Sequence, residues 1–296
     1  MARFLKSCYG GKAVHIPDGF LSTPVWAALD TAAVPAVAWV ARRAQRGFDD
    51  RQAPLLGLMG AFVFAAQLIN FPVGAGTSGH LVGAALLAFT LGPAAASVVM
   101  TAILGIQALV FQDGGLLALG ANIVNMALVG VLAGYLPYRL GGAGEWRRFS
   151  IFAGASLSVV VAGCLALSEL LISGVRMQTS LLGISLAVFL VSAILEGVIT
   201  LAVVRSLERI QPTLLQDSPP HKSPALLFIA VAAVLLASVG VLFASQAPDA
   251  IEQLTEHAGP RSFGWLRQAG TGLAGLALIY GLCLAIGRTV SRNRSV

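Results

Sequence analysis

The chain has 296 residues, 57% of them hydrophobic and only 11% charged, with a net charge of +6. Ordinary globular domains carry about 25% charged residues, so a water-facing surface of the usual kind is excluded. The basic balance does not indicate nucleic acid either, because the Lys and Arg residues sit in short loops between apolar runs rather than on one face.

Apolar runs long enough to cross roughly 30 Å of hydrocarbon recur from residue 24 onwards. In lipid each backbone polar group must be satisfied within its own segment, so the runs predict an all-α, polytopic membrane helix bundle. About nine transmembrane helices are expected, at 24–41, 54–70, 79–92, 93–111, 115–138, 150–174, 181–205, 224–246 and 265–287. The third is the shortest, and Gly92-Pro93 separates it from the fourth. Pro93 turns Gly92 away from helix and suits the first turn of the fourth helix. Four parts result: an extension 1–13, a seven-helix core 14–210, a linker 211–223 rich in Pro and charge, and a two-helix hairpin 224–296 with an outer loop. Residues 1–13 hold no apolar core of signal-peptide length. Cys8, Cys164 and Cys283 form no C-x-x-C pair, and two of them lie in apolar runs as small hydrophobes.

Loop charge orients the bundle. The loops after the first, fifth and seventh segments and the C-terminal tail hold 13 of the 19 Lys and Arg. By the positive-inside rule that side is cytoplasmic, with the N-terminus outside. The expected location is the inner (plasma) membrane of a prokaryote.

Three outer clusters carry chemistry. The first is His15-Ile16-Pro17-Asp18-Gly19-Phe20-Leu21, where Pro17 and Gly19 impose a bend and Thr23-Pro24 reads as an N-cap followed by proline at the first helical position. The second is Phe71-Pro72-Val73-Gly74-Ala75-Gly76-Thr77-Ser78-Gly79-His80. Thr77 or Ser78 is expected to cap the third helix and place His80 in its first turn, where the helix dipole keeps the imidazole neutral. Each histidine alone reads as well as a solvated or hydrogen-bonded side chain. Together they offer two imidazoles at one outer cavity, half of a four-coordinate transition-metal site. The third cluster is the turn at Asp113-Gly114-Gly115, followed by Asn122 and Asn125. Spaced i, i+3, these amides share one helix face and read either as support for metal ligands or as interhelical glue. Gln67, Asn70 and Gln107 carry the same two readings. Asp30, Glu169 and Glu196 also lie in apolar runs, where a proton-coupled carrier would place relays.

These clusters resemble the CbiM/NikM family, the substrate-binding components of cobalt/nickel energy-coupling-factor transporters. The resemblance covers residues 14–210 and rests on the His15–Leu21 motif, the Gly76-Thr77-Ser78-Gly79-His80-Leu81 turn, and Asp113 to Asn122, in that order. Pro248-Asp249-Ala250-Ile251-Glu252 in the last hairpin resembles the Pro-Asp-Gly-Leu-Glu signature of the small partner subunit, here fused, departing at Ala250 and Ile251. The resemblance implies capture of Ni2+ or Co2+ from outside as substrate, with no permanently bound cofactor. Its implied partners are a transmembrane coupling subunit and two cytoplasmic ATPase subunits, within membrane lipid. No G-x-x-x-x-G-K-[ST] loop occurs here, so ATP hydrolysis falls to partners and this chain is not an enzyme.

The resemblance also implies the ligands. In the family the first histidine directly follows the initiator methionine. The α-amine, that histidine's backbone nitrogen and its imidazole chelate the metal, and a second histidine, matching His80, completes a near-planar set. Nickel and cobalt both accept such nitrogen donors, so the residues do not choose between them. Here His15 follows Val14 and thirteen further residues. A chain starting functionally at Val14, through a GTG codon decoded as methionine or through trimming, restores the amine. The expected ligands are thus His15, His80 and the amine of Val14, supported by Asp18, Ser78, Asp113, Asn122 and Asn125. Small residues at Ala28, Ala32 and Ala36 offer a smooth face for docking the coupling subunit, or for ordinary close packing. The competing reading is a stand-alone proton-coupled divalent metal permease. An intramembrane metalloprotease is disfavoured, because no H-E-x-x-H occurs.

Overall fold

The computed structural model of the protein describes residues 15–47, 52–74, 77–111, 113–142, 144–175, 179–211, 223–239 and 280. Eight helices and one short β-hairpin occupy these residues. Helix α1 is Thr23–Gly47 and α2 is Ala53–Gln67, followed by strands β1 (Asn70–Gly74) and β2 (Thr77–His80) and the short α3 (Ala84–Leu91). Next come α4 (Pro93–Phe111), α5 (Leu119–Gly141), α6 (Arg147–Ile172), α7 (Thr179–Ile210) and α8 (Pro224–Ser238). The segments Thr23–Gly47, Pro93–Phe111, Leu119–Gly141, Gly144–Ile172 and Leu182–Ile210 are long and apolar enough to cross a membrane. The architecture is therefore a polytopic helical bundle, as the composition requires.

Two expected spans are shorter than their apolar runs. At about 1.5 Å per residue, α2 reaches only about 22 Å and α3 about 12 Å. The run expected to be helical through residue 70 stops at Gln67, and Asn70 opens β1 instead. The strands pair antiparallel, Asn70 with His80 and Phe71 with Gly79, with an irregularity between Pro72 and Gly74. The ladder takes the backbone groups that a helix from residue 79 would have used. Gly83, at φ +74°, then turns the chain into α3. A Cβ there would lie 2.5 Å from the Val63 side chain, so both conformation and space demand glycine. His80 thus stands at the end of a strand and not in the first turn of a helix. Thr77 and Ser78 belong to the hairpin and do not cap α3. The break at Gly92-Pro93 is present, with Gly92 at φ 78° and Pro93 opening α4.

Helix α3 lies at the centre, touching α2, α4, α5, α6 and α7. Its residues Ala84 to Phe89 are buried, as befits a helix apolar on every side. Small residues allow the close approaches: a Cβ on Gly134 of α5 would lie 2.8 Å from that of Ala85, and Gly154 of α6 stacks on the Gly134 carbonyl. Helix α1 lies against α4 and α5 with little of its surface covered, Ala33 being its buried residue. Helix α8 packs on α2, as does Tyr280, whose ring edge would meet a Cβ on Gly57 at 2.8 Å. The extension 1–13, Val14, most of the linker, the outer loop of the last hairpin and the ninth expected span apart from Tyr280 lie outside the described residues.

Candidate metal centre

The hairpin and the segment before α1 bring His15 and His80 together. Their ring centroids are 6.0 Å apart with planes inclined by 30°. Both residues are 3% exposed, although the sequence places His15 in a loop and His80 at a helix end. A metal held about 2 Å from one nitrogen of each of two imidazoles sets the ring centres roughly 4.5–6.5 Å apart. The observed separation falls in that interval.

Each ring is oriented by a neighbour. His80 Nδ1 lies 2.7 Å from the Leu81 carbonyl. A carbonyl only accepts, so Nδ1 carries the hydrogen and Nε2 the lone pair. Burial pushes the His80 imidazole down to about 4, and the His15 ring acts in the same direction against the weaker pull of the Leu81 carbonyl and Asp113. The ring is therefore neutral at physiological pH. Desolvation provides this neutrality, in place of the helix dipole the sequence suggested. His15 Nδ1 lies 3.4 Å from Asp113 Oδ1, while its Nε2 is buried without a hydrogen-bond partner among the described residues. A buried nitrogen left without a partner costs free energy unless something else occupies it.

The His15 loop is fastened to α5 and to the turn before it. The Ile16 N–H donates to Asn122 Oδ1 at 2.8 Å, and Asn122 Nδ2 donates back to the Ile16 carbonyl at 3.2 Å. That carbonyl also accepts from the Gly115 N–H at 2.9 Å. Asp18 accepts from the N–H groups of Leu116 and Leu117 at 3.0 and 2.7 Å. The turn comes this close because of its glycines: a Cβ on Gly115 would run into the Asp18 carboxyl and backbone nitrogen. Gly114, at φ +88°, would bring one to 3.2 Å from His15 Cβ.

The expected site residues therefore divide. His15, His80, Asp113 and Asn122 cluster, and Asp18 ties the loop beneath them. Asn125 does not join them. From Ile123 to Gly130 the helix has π geometry, which spreads residues three apart round the axis, and Asn125 Nδ2 donates to Glu169 Oε2 on α6 at 2.8 Å. The shared face expected for Asn122 and Asn125 is thus absent. Ser78 contributes its backbone to the hairpin opposite Pro72, and its side chain lies outside the described residues, as does Val14. On α1, Ala28 and Ala32 are exposed and Ala36 half-buried.

The other polar groups in the apolar runs have local roles. Asp30 accepts from the Gly120 N–H at 2.7 Å, and Gln107 Nε2 donates to Gln67 Oε1 at 2.8 Å. Sequence reasoning missed what Glu196 does: it accepts from the backbone of Val82 and Gly83, just beyond His80. Its position in an apolar run marked it as unusual, and nothing in the sequence named its partners. A cleft of about 230 Å3 lies beside the loop, lined by Pro17, Asp18, Thr23, Trp26, Leu117 and Ala118, with neither histidine in its wall.

A bundle of membrane-length helices with two buried, neutral-capable imidazoles converging near one end defines a class, that of polytopic membrane proteins equipped with nitrogen donors suited to a transition metal. Residues 15–214 match the family described as the cobalt uptake substrate-specific transmembrane region, CbiM, and the chain belongs to that family. It is 33% identical over 226 residues to a protein of Lactiplantibacillus plantarum named "Probable fused nickel transport protein LarMN", covering 71% of this chain and 69% of that one. It is 31% identical over 201 residues to the cobalt transport protein CbiM of Acetoanaerobium sticklandii, covering 64% of this chain and 83% of the other. A solved structure of a truncated transition-metal transporter is similar at 35% identity and a TM-score of 0.58, over 66% of this chain and 98% of that one.

Proposed function

We propose that this chain binds Ni2+ or Co2+ on the outer side of a prokaryotic plasma membrane and is the substrate-specific component of an ATP-driven energy-coupling-factor transporter. The carrying observation is the convergence of His15 and His80, distant in sequence, to ring centroids 6.0 Å apart in a buried setting where His15 Nε2 has no hydrogen-bond partner among the described residues. The ligands are the His15 and His80 imidazoles with the backbone nitrogen and amine of a chain that starts functionally at Val14. The family match beginning at residue 15 supports that start. A transmembrane coupling subunit, docking on the small-residue face of Ala28, Ala32 and Ala36, and two ATPase subunits supply the energy. The exposure of Ala28 and Ala32 on a helix with little surface covered supports that docking face. Membership in a family of transport proteins fits a chain that is no enzyme.

The carboxylates that the proton-coupled alternative would use are each hydrogen-bonded within the bundle, and none of them contacts the two histidines directly in these bonds. Asp30 is held by Gly120, Glu169 by Asn125 and Glu196 by two backbone N–H groups. The test is calorimetry with Ni2+ and Co2+ on two purified forms, one starting at residue 14 as methionine and one at Met1, each with its His80→Ala variant. Tight binding by the short form alone, lost with His80, is the expected result and identifies the metal. Equal binding by both lengths removes the amine from the ligand set. Absence of binding by either form refutes the metal site.

A further inference from the structure

Glu196 is 1% exposed in α7 and belongs to neither the His15 loop nor the hairpin. Both of its carboxylate oxygens face backbone. Oε2 accepts from the Val82 N–H and Oε1 from the Gly83 N–H, each at 2.8 Å. The first of these N–H groups belongs to the Leu81–Val82 peptide. That same peptide's carbonyl, Leu81 O, accepts from His80 Nδ1 at 2.7 Å. Carboxylate, peptide and imidazole therefore form one line, Glu196 Oε2 to Val82 N–H, through the peptide to Leu81 O, to His80 Nδ1–H. The next peptide is held in the same way: its N–H, from Gly83, meets Glu196, and its carbonyl, Val82 O, accepts from Gln67 Nε2 at 2.6 Å.

We propose that Glu196 is a positioning residue for metal capture, acting through the Leu81–Val82 peptide to fix the tautomer, orientation and donor strength of His80. A peptide whose N–H faces a carboxylate is polarised, and its carbonyl becomes a stronger acceptor. The stronger acceptor draws the Nδ1 hydrogen and makes Nε2 the better electron-pair donor, as a carboxylate does when it contacts a metal-bound histidine directly. The peptide between them lets a helix that carries no ligand exert this effect on the site. Gln67 of α2 holds the adjoining peptide from the opposite side, so the turn after His80 is gripped by two helices. Gly83, with φ +74° and Val63 against it, leaves that turn no other course. The inference rests on His80 being a metal ligand.

The test uses the purified full chain, in the form that binds metal, with Ni2+ and Co2+ alone as probes. Affinity is read by calorimetry, and ligand field by the visible absorption of the bound ion. Glu196→Ala is expected to weaken binding by roughly 10- to 100-fold and to shift the absorption bands. Glu196→Gln, whose amide oxygen still accepts one of the two N–H groups, is expected to recover part of both. Thr200→Val, in the same helix at a fully buried hydroxyl without a hydrogen-bond partner among the described residues, is expected to change neither. Wild-type affinity and unshifted bands in both Glu196 variants overturn the proposal. If Glu196→Ala does not fold, judged by melting and size exclusion, Glu196→Gln and Gln67→Leu decide. Shifted bands in either then support the proposal, and unshifted bands in both overturn it. His80→Ala separates the two layers: if it loses metal while the Glu196 variants do not, this inference alone fails. If it binds like the wild type, the metal site fails and the inference with it.

Discussion

Removing the amide of Asn122 is expected to cost the chain its grip on metal without touching a ligand. Asn122 and Ile16 are both buried, and the asparagine satisfies the Ile16 N–H at 2.8 Å and contributes to the Ile16 carbonyl at 3.2 Å. Asn122→Ala leaves the carbonyl with Gly115 but strands the N–H, since no water replaces a lost acceptor in a packed interior. A stranded buried donor costs about 1–3 kcal/mol. Taking about 2 kcal/mol, and about 1.4 kcal/mol per factor of ten, affinity falls roughly 30-fold. The loss appears in affinity because a metal-free loop can turn Ile16 towards water, whereas a loop with His15 in place cannot. Calorimetry with Ni2+ measures it, and thermal melting of the metal-free protein measures the share taken by folding. Asn122→Asp, which keeps the acceptor for the Ile16 N–H but sets a second oxygen against the Ile16 carbonyl, is expected to recover only part of that loss. Wild-type affinity in Asn122→Ala would refute the claim that α5 sets the position of His15.

Three further outcomes are expected from the geometry. His80 has a native value of about 4 against an ordinary 6.5, so acid protonates the unfolded chain first. Its contribution to stability is intact above pH 6.5 and is lost as the pH falls towards 4, by about 1.4 kcal/mol per unit and about 3 kcal/mol in all. Melting temperatures followed over pH 4–7.5 should decline on the acid side, and His80→Gln should flatten that decline. Gly115→Ala drives a methyl into Asp18, and is expected to cost about 1–3 kcal/mol in melting experiments and to weaken metal binding. Arg147→Leu removes the ion pair with Glu208 and the hydrogen bonds to Tyr138 and Gly142 at the opposite end of α6 from Glu169. That pair is about 28–29% exposed, so the cost is on the order of 1 kcal/mol, and Ni2+ affinity should not move.

The bundle was legible because its signal is bulk composition: long apolar runs admit few structures in lipid. The His15 loop was also legible as a unit, since Pro17, Gly19, Gly114 and Gly115 announce turns and close approach whatever they contact. The hairpin was not. Thr77-Ser78-Gly79-His80 reads as a capped helix start, and what overrides that reading is the pairing with Asn70–Gly74, made through backbone groups that carry no side-chain signature. The π geometry of Ile123–Gly130 was hidden for a similar reason. Nothing in its composition distinguishes it from ordinary helix, yet it sends Asn125 to Glu169 and leaves Asn122 alone with the His15 loop. At Glu196 a carboxylate in an apolar run is a visible anomaly, but its partners are not, because backbone N–H groups have no signature of their own.

The spacing of the two histidines is consequently a property of the helix bundle more than of the loops that bear them. His15 is held through Ile16 by Asn122 on α5, and His80 through Leu81 and Val82 by Glu196 on α7. Helices α5 and α7 both pack along α6, with small residues such as Gly134, Gly154 and Gly163 allowing the close contact. A loop on its own would leave two imidazoles free to separate, and ordering them would subtract from affinity. Here that ordering is already done by the contacts that hold the helices together. A substitution that changes the α5–α6–α7 packing near Asn122 and Glu196 is therefore expected to change the His15–His80 separation, whereas changes in that packing at the far end, such as at Arg147 and Glu208, leave it as it is.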